Sequence, residues 1–401
     1  MAKKRTKSPG KTRAKSSATT RVVVLGGGMV GSVIASDLAA SRGMKVTVVD
    51  ASKKALARCE ARSPRKIKTR VADLSDEKEL RKTIAEADLV VGALASRLGL
   101  RTLEIVLDEG RDYVDISFMP EDNLHLHELA KRRRVTAVVD MGVAPGMSNL
   151  LCGWATRKLK KCRRLEILVG GLPRNRHWPW EYKAGFAPSD VLEEYTRPVR
   201  VVEGGEIVWK EALTEPTLVD FEGIGTLETF LTDGLRSLAD TLDVPDMVEK
   251  TMRYPGHIEL MRVMRHLGLF RQDEVELPSG VRVSPLELTS HLLFPQWTFE
   301  DFEPDCTVMR ITAEGDLGKV PTRLTWSLVD HLDSETGYTS MSRTTGFPAA
   351  VVARMIADGS LRKRGLFAPE QIAGEKGLLD RMMKELADRG VNYRAEAEAI
   401  E

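Results

Sequence analysis

The stretch Arg21-Val22-Val23-Val24-Leu25-Gly26-Gly27-Gly28-Met29-Val30-Gly31 decides the fold. A β-branched apolar run is followed without a spacer by three glycines, and then by a segment with Val33, Ile34 and Leu38 at helical spacing. A buried strand that feeds a helix through a glycine turn is the opening of a dinucleotide-binding βαβ unit. In the G-x-G-x-x-G frame, Gly26 permits the tight turn, Gly28 lets the backbone approach a pyrophosphate, and Gly31 lets helix and strand pack closely. Met29 and Val30 fill the variable positions, so their backbone belongs to the same cofactor loop. The helix N-terminus offers free N–H groups and a partial positive charge to the phosphates.

The next apolar run, Val46–Val49, ends at Asp50, 19 positions after Gly31. An acidic residue there accepts hydrogen bonds from the adenosine ribose hydroxyls and repels a 2′-phosphate. NAD is therefore the expected cofactor, with NADP kept open by the nearby Lys53 and Lys54.

The rhythm continues with strands at 67–71, 89–91, 113–116 and 137–139 alternating with helices at 77–85, 100–107 and 124–132. Alternation with short links predicts a doubly wound parallel sheet covered on both faces, an α/β Rossmann fold. Ligands bind outside the carboxyl ends of such strands. Asp73 and Leu74, after the third strand, are expected at the adenine, with an N-cap role as the other reading of Asp73. Ala93 and Leu94, after the fourth, are expected beside the nicotinamide.

The pattern changes at Val143-Ala144-Pro145-Gly146. Residues 146–343 read as a second α+β lobe on its own mixed sheet, with candidate strands at 165–169, 205–210, 281–283, 307–313 and 322–329. From Gly346 a helix returns, and 344–401 is expected to be helices packing back on the first domain. Residues 1–20 carry seven basic and no acidic residues and almost no large apolar groups, which predicts a disordered tail limited to weak polyanion contacts.

Composition narrows the function classes. Of 60 basic residues seven lie in the tail, so the body carries more acidic residues (58) than basic ones and lacks the bias that nucleic-acid binding needs. No apolar run is long enough for a membrane span. The four cysteines form no CxxC pair, and His125 and His127 lie two apart on a predicted helix, so no metal site is expected and a cytoplasmic, reducing compartment fits.

Several further segments occur in order: Asp140–Met147, Val169–Pro173, Glu181-Tyr182-Lys183, Thr232–Leu235, Arg253-Tyr254-Pro255-Gly256-His257 and Thr345–Ala349. Together with the glycine loop they resemble the saccharopine dehydrogenase family, and within it bacterial lysine 6-dehydrogenases. The glutamate-forming members carry Asp-Pro-Gly where this chain has Ala144-Pro145-Gly146. The resemblance implies an NAD(P)-dependent dehydrogenase that oxidises a C–N bond of lysine or a lysine-derived amine. Alternatives within the same chemistry are saccharopine or a carboxy-polyamine, and outside it an NAD-sensing protein without turnover. It also implies a homo-oligomer associating through the second lobe.

Hydride leaves the carbon only when the amine lone pair is free, so a proton acceptor must lie near the nitrogen. Asp115, at the end of the fifth strand, is the first candidate for that role. His257 in its Pro-Gly turn is the second. A substrate carboxylate needs a cation, for which Arg253 is expected, with Arg236 and Lys183 as alternatives. Tyr182 is expected at the same site. Trp178-Pro179-Trp180 either covers the substrate's alkyl chain or packs an interface.

Overall fold

The computed structural model describes residues 19–401; the expected disorder of the basic tail falls almost wholly on residues outside it. The first domain runs β1 (Thr20–Leu25), α1 (Met29–Ala39), β2 (Met44–Asp50), α2 (Lys53–Arg62), β3 (Lys68–Val71), α3 (Glu77–Ile84), β4 (Leu89–Gly92), α4 (Ser96–Asp108), β5 (Asp112–Asp115), α5 (His127–Arg133) and β6 (Thr136–Val138). These strands are all parallel, in the order β3-β2-β1-β4-β5-β6. The order reverses at β1/β4, the point at which doubly wound sheets open their ligand crevice. Val22, Val24, Val48 and Val91 are buried on one face and Leu25, Val49 and Val90 on the other. Burial on both faces explains why these strands read as continuous apolar runs.

The second lobe comprises α6 (Met147–Lys158), β7 (Lys160–Pro173), α7 (Pro188–Thr196), β8 (Val199–Glu203), β9 (Glu206–Lys210), β10 (Thr217–Phe221), β11 (Gly225–Leu231), α8 (Leu238–Thr241), β12 (Asp246–Arg253), α9 (His257–His266), β13 (Val275–Glu276), β14 (Arg282–Val283), α10 (Pro285–Trp297), β15 (Asp305–Leu317) and β16 (Val320–His331). Its mixed sheet runs β10-β11-β12-β7-β15-β16, with β12 and β7 parallel and the other pairs in this run antiparallel. The α7, β12, α9 and α10 elements were not legible in the sequence. Pro188, Pro285 and Pro295 sit in or at the start of helices, and β12 mixes apolar, charged and polar residues without a period of two.

The chain then returns. The helix α11 (Ser340–Asp358) packs along α1, with Gly346 against Val33 and Ile34, where a Cβ would be tight. β17 (Gly365–Phe367) adds a seventh parallel strand beside β6. The segment closes with α12 (Pro369–Ile372), α13 (Leu378–Ala387) and β18 (Tyr393–Ala399). Arg354 of α11 and Arg389, just after α13, both pair with Asp37 of α1. The expectation of returning helices alone is corrected here: β17 joins the first sheet, and β18 pairs with β16 of the second. Among the described residues no helix is long and apolar enough to cross a membrane.

Candidate active site

The two lobes enclose a cleft with a cavity of about 310 Å3. Its first-domain wall is Gly28–Gly31, Ala93–Ala95, Ile116, Phe118 and Gly142–Pro145. Facing it are Gly170 and Gly171 of β7, Tyr182, Asp190 and Glu194 of α7, and Thr251 and Arg253 of β12.

The glycine loop fits a dinucleotide by its shape. Gly26 has φ +99°, and a Cβ on it would overlap the Ala93 carbonyl. A Cβ on Gly31 would overlap the Gly26 carbonyl, whereas one on Gly28 would meet nothing within 4 Å. Open space lies in front of Gly28, where a pyrophosphate would contact the start of α1. Asp50 accepts hydrogen bonds from the Gly27 and Ser52 N–H groups, both at 2.7 Å, which ties the loop to the end of β2. Ala93 and Leu94 line the cleft.

Two of the other cofactor-side residues sit differently. Leu74 is buried in the first-domain core with Leu25, Val49 and Leu80, so its side chain is not presented to an adenine. Asp73 is exposed and accepts from the Ser75 backbone and hydroxyl at 2.9 and 2.7 Å. The N-cap of α3 is Asp76.

Asp115 is not at the crevice mouth. It is fully buried and accepts from the Tyr113 hydroxyl, the Ser117 N–H and, at 3.2 Å, the Ser117 hydroxyl. Burial pushes its carboxyl up to about 7, against the pull of those donors. Ile116 and Phe118, not Asp115, present their side chains to the cleft. Asp115 ties the end of β5 to its own turn, and the proton-handling role is withdrawn from it.

His257 is likewise consumed by structure. It begins α9, 2% exposed, with Nδ1 2.9 Å from the Trp180 carbonyl and Nε2 3.0 Å from the Tyr195 hydroxyl. A carbonyl only accepts, so Nδ1 carries the proton and Nε2 accepts from Tyr195. Burial, with Arg253 close by, lowers its pKa to about 3. It is neutral at ordinary pH and does not line the cleft, so it is withdrawn as the second candidate.

Arg253 does line the cleft. It is 3% exposed, donates from Nε to Tyr195 at 3.2 Å and from Nη1 to the Met252 carbonyl at 3.0 Å, and its guanidinium lies over the Tyr182 ring. The alternatives do not. Lys183 donates to Glu303 at 2.6 Å outside the main cleft. Arg236 is buried against the first domain, where it donates to the Met119 carbonyl and lies over Phe118. Trp178 is 88% exposed, and Trp180 lines a separate hollow with Lys183.

The residues missed in the sequence are the acidic ones. Asp190 and Glu194 stand one turn apart on α7, so both face the cleft. Asp190 accepts from the hydroxyl of Ser96, which opens α4 just beyond the β4 strand end, at 3.2 Å. Glu194 Oε2 is buried, has no hydrogen-bond partner, and lies 3.6 Å from Arg253 Nη2. Burial pushes the Glu194 carboxyl up to about 7 although Arg253 pulls it down, and burial also raises Asp190. Their i,i+4 spacing was the available signal, hidden because no helix was read there. Among the described residues no cluster of potential metal ligands exists.

A Rossmann sheet with an open glycine loop, facing a cleft whose lining holds one buried cation, is the arrangement of a dinucleotide-dependent oxidoreductase. Residues 22–138 match the saccharopine dehydrogenase NADP binding domain, and residues 142–391 match the saccharopine dehydrogenase C-terminal domain. The chain belongs to the saccharopine dehydrogenase family, and NAD or NADP is its cofactor. It is 24% identical over 88% of its length to a carboxyaminopropylagmatine dehydrogenase of Synechocystis sp., covering 92% of that protein. It is 23% identical over 92% of its length to the L-glutamate-forming NADP(+) saccharopine dehydrogenase of Saccharomyces cerevisiae, covering 97% of it. The solved apo structure of L-Glu-forming saccharopine dehydrogenase from S. cerevisiae superposes with a TM-score of 0.78 at 18% identity, over 95% of this chain and all of that one. A homospermidine synthase from Legionella pneumophila, solved with NAD, superposes with a TM-score of 0.64 at 11% identity, over 95% and 91%.

Proposed function

We propose that the protein oxidises a C–N bond of lysine or a lysine-derived amine with a single carboxylate, using NAD in preference to NADP. The observation that carries this reading is the charge inventory of the cleft. Its lining residues supply one cation, Arg253, and two carboxylates, Asp190 and Glu194. The complement is a substrate with one carboxylate and two cationic nitrogens, which describes lysine. Saccharopine, with three carboxylates, would leave two of them facing acidic side chains, and burial of unmatched charge is costly.

Arg253 and Glu194, 3.6 Å apart, suit the α-carboxylate and α-ammonium of one amino-acid head. Asp190, bonded to Ser96 beside the β4 strand end, suits the distal nitrogen. Gly170 and Gly171 present bare backbone between them: a Cβ on either would press on Met252 or Met341. A bound oxidised nicotinamide supplies the hydride acceptor. The protein's residues orient the amine, shield it from water and hold it where its proton can leave.

A second reading rests on the Synechocystis relative: a carboxy-polyamine also has one carboxylate and several cationic nitrogens. The test is cofactor reduction by purified protein with lysine, saccharopine and a carboxy-polyamine. Turnover with lysine or the carboxy-polyamine and little with saccharopine supports the charge reading. A clear preference for saccharopine, or NAD binding with no turnover on any amine, refutes it.

A further inference from the structure

Behind the cleft wall lies a buried acid that the reading above does not use. Glu249, Thr251 and Arg253 occupy alternate positions of β12 and therefore point to the same face of the sheet. Arg253 and Thr251 reach the cleft, and Glu249 lies one step deeper, 3% exposed. The Thr232 hydroxyl, just past β11, bridges them: it is 2.7 Å from Glu249 Oε2 and 2.8 Å from the Thr251 hydroxyl. Gly234 makes room for this acid, because a Cβ there would overlap the Glu249 carboxyl.

The polarity of this chain is fixed by its inner end. With Glu249 ionised, the state that takes the proton, its carboxylate only accepts, so Thr232 donates to it. Thr232 then accepts from Thr251, whose own hydroxyl proton is thereby committed inward. The lone pairs of Thr251 are left facing the cleft. A substrate ammonium there finds an acceptor wired to a buried base.

We propose that Thr251, Thr232 and Glu249 form a proton relay that takes the proton which the substrate amine must lose before oxidation. The inference rests on the amine-oxidising reading of the cleft. The transfer balances. One N–H proton of the R–CH2–NH3+ group passes to Thr251 Oγ, the Thr251 proton to Thr232 Oγ, and the Thr232 proton to Glu249. The neutral amine's lone pair then forms the C=N bond as the carbon's hydride leaves to the oxidised nicotinamide. Each hydroxyl ends with one proton, and Glu249 holds the extra one until it returns to solvent.

The surroundings tune this acid for such a role. Burial, with Glu194 of α7 and Asp233 of the turn after β11 adding to it, pushes Glu249 up to about 8. The Thr232 and Gly234 donors pull the other way. Asp233 is itself beside Arg200 of β8 and Arg236. On the β7 side the register partner of Glu249 is Ile167, which is apolar.

The test is the pH profile of kcat with lysine, or with the carboxy-polyamine if that is the better substrate. Glu249→Gln keeps the size and an acceptor for Thr232, so the fold is preserved while the base is lost. Wild-type kcat should rise with pH through the ionisation of Glu249. In Glu249→Gln and in Thr251→Val, kcat at neutral pH should fall ~100-fold or more, the lower end of positioned base assistance. The rising limb should shift or vanish, with KM and cofactor affinity within about twofold of wild type. Thr251→Ser should restore both rate and profile. Wild-type rates and profiles in Glu249→Gln and Thr251→Val overturn the relay alone. A loss confined to KM also overturns it, since that marks a purely positioning role. A wild-type protein that reduces no cofactor with any amine overturns the substrate reading and the relay with it.

Discussion

Replacing Arg253 by methionine separates recognition of the substrate's carboxylate from everything else in the cleft. Methionine follows the path of the arginine stem and removes only the fork and its charge. In the folded protein Nε and Nη1 are engaged by Tyr195 and Met252, at 3.2 and 3.0 Å. The Nη2 group is poorly satisfied, 3.4 Å from the Tyr182 hydroxyl and 3.6 Å from Glu194. It is the donor free to meet a ligand, so one charge-assisted bond is at stake and not a bidentate pair. Such a bond contributes ~1.5–3 kcal/mol, and a single one belongs near the lower end. The expected cost in kcat/KM for lysine is about 10- to 30-fold, entered mainly through KM. The control is 1,5-diaminopentane, which is lysine without its carboxylate. Wild type should prefer lysine, and Arg253→Met should lose most of that preference while its rate with the diamine changes little. Equal losses on both substrates would show that Arg253 supports the fold of the cleft and does not read the carboxylate.

The glycine loop gives a paired test: Gly28→Ala should keep the wild-type Tm but weaken cofactor binding at least tenfold, because its Cβ meets only the space a pyrophosphate would occupy. Gly31→Ala should instead lower Tm by several degrees, because its Cβ overlaps the Gly26 carbonyl. Isothermal titration and thermal unfolding distinguish the two, and equal behaviour would contradict the packing. NAD should bind more tightly than NADP, and Asp50→Ser should narrow or reverse that order. Some NAD affinity should also be lost, since Asp50 anchors the Gly27 N–H; a strong wild-type preference for NADP would refute the assignment. Stability should also depend on the buried acids. Asp115 and Glu249 are raised by burial to about 7 and about 8 from ordinary values of 3.8 and 4.5. Between those values the folded state binds protons that the unfolded chain has released, so these acids make stability fall as pH rises from about 4 to about 8. Asp115→Asn should show a smaller decline than wild type in urea unfolding at pH 5 and pH 9. An identical decline would remove Asp115 from the account.

The first domain was legible because its signals are local. A strand that is apolar throughout, a glycine turn and an acidic strand end lie within 30 residues of one another, and parallel-sheet burial makes each strand stand out. The segments from Asp140 to Ala349 that carry the family resemblance were legible for the same reason. Arg253 was singled out within the Arg253–His257 segment as a cation for a carboxylate, and the fold places it in the cleft lining. What sequence could not decide was which polar side chains face the cleft and which are spent inside. Asp115 and His257 carry the chemistry of a proton acceptor, but Tyr113 and Ser117 consume one, and Trp180 and Tyr195 the other. Those partners, like the pairing of Lys183 with Glu303 across 120 positions, depend on how the chain returns on itself. Asp190, Glu194, Thr251 and Glu249 are ordinary polar residues in sequence. They become a site only because α7 and β12 bring them against the open ends of β1 and β4, where burial raises the acids and leaves one carboxylate oxygen without a partner. The cofactor loop is written in consecutive residues, so sequence determines it. The candidate substrate site is assembled from elements far apart in the chain, and its charges acquire their properties only from the low-dielectric wall that tertiary packing builds around them.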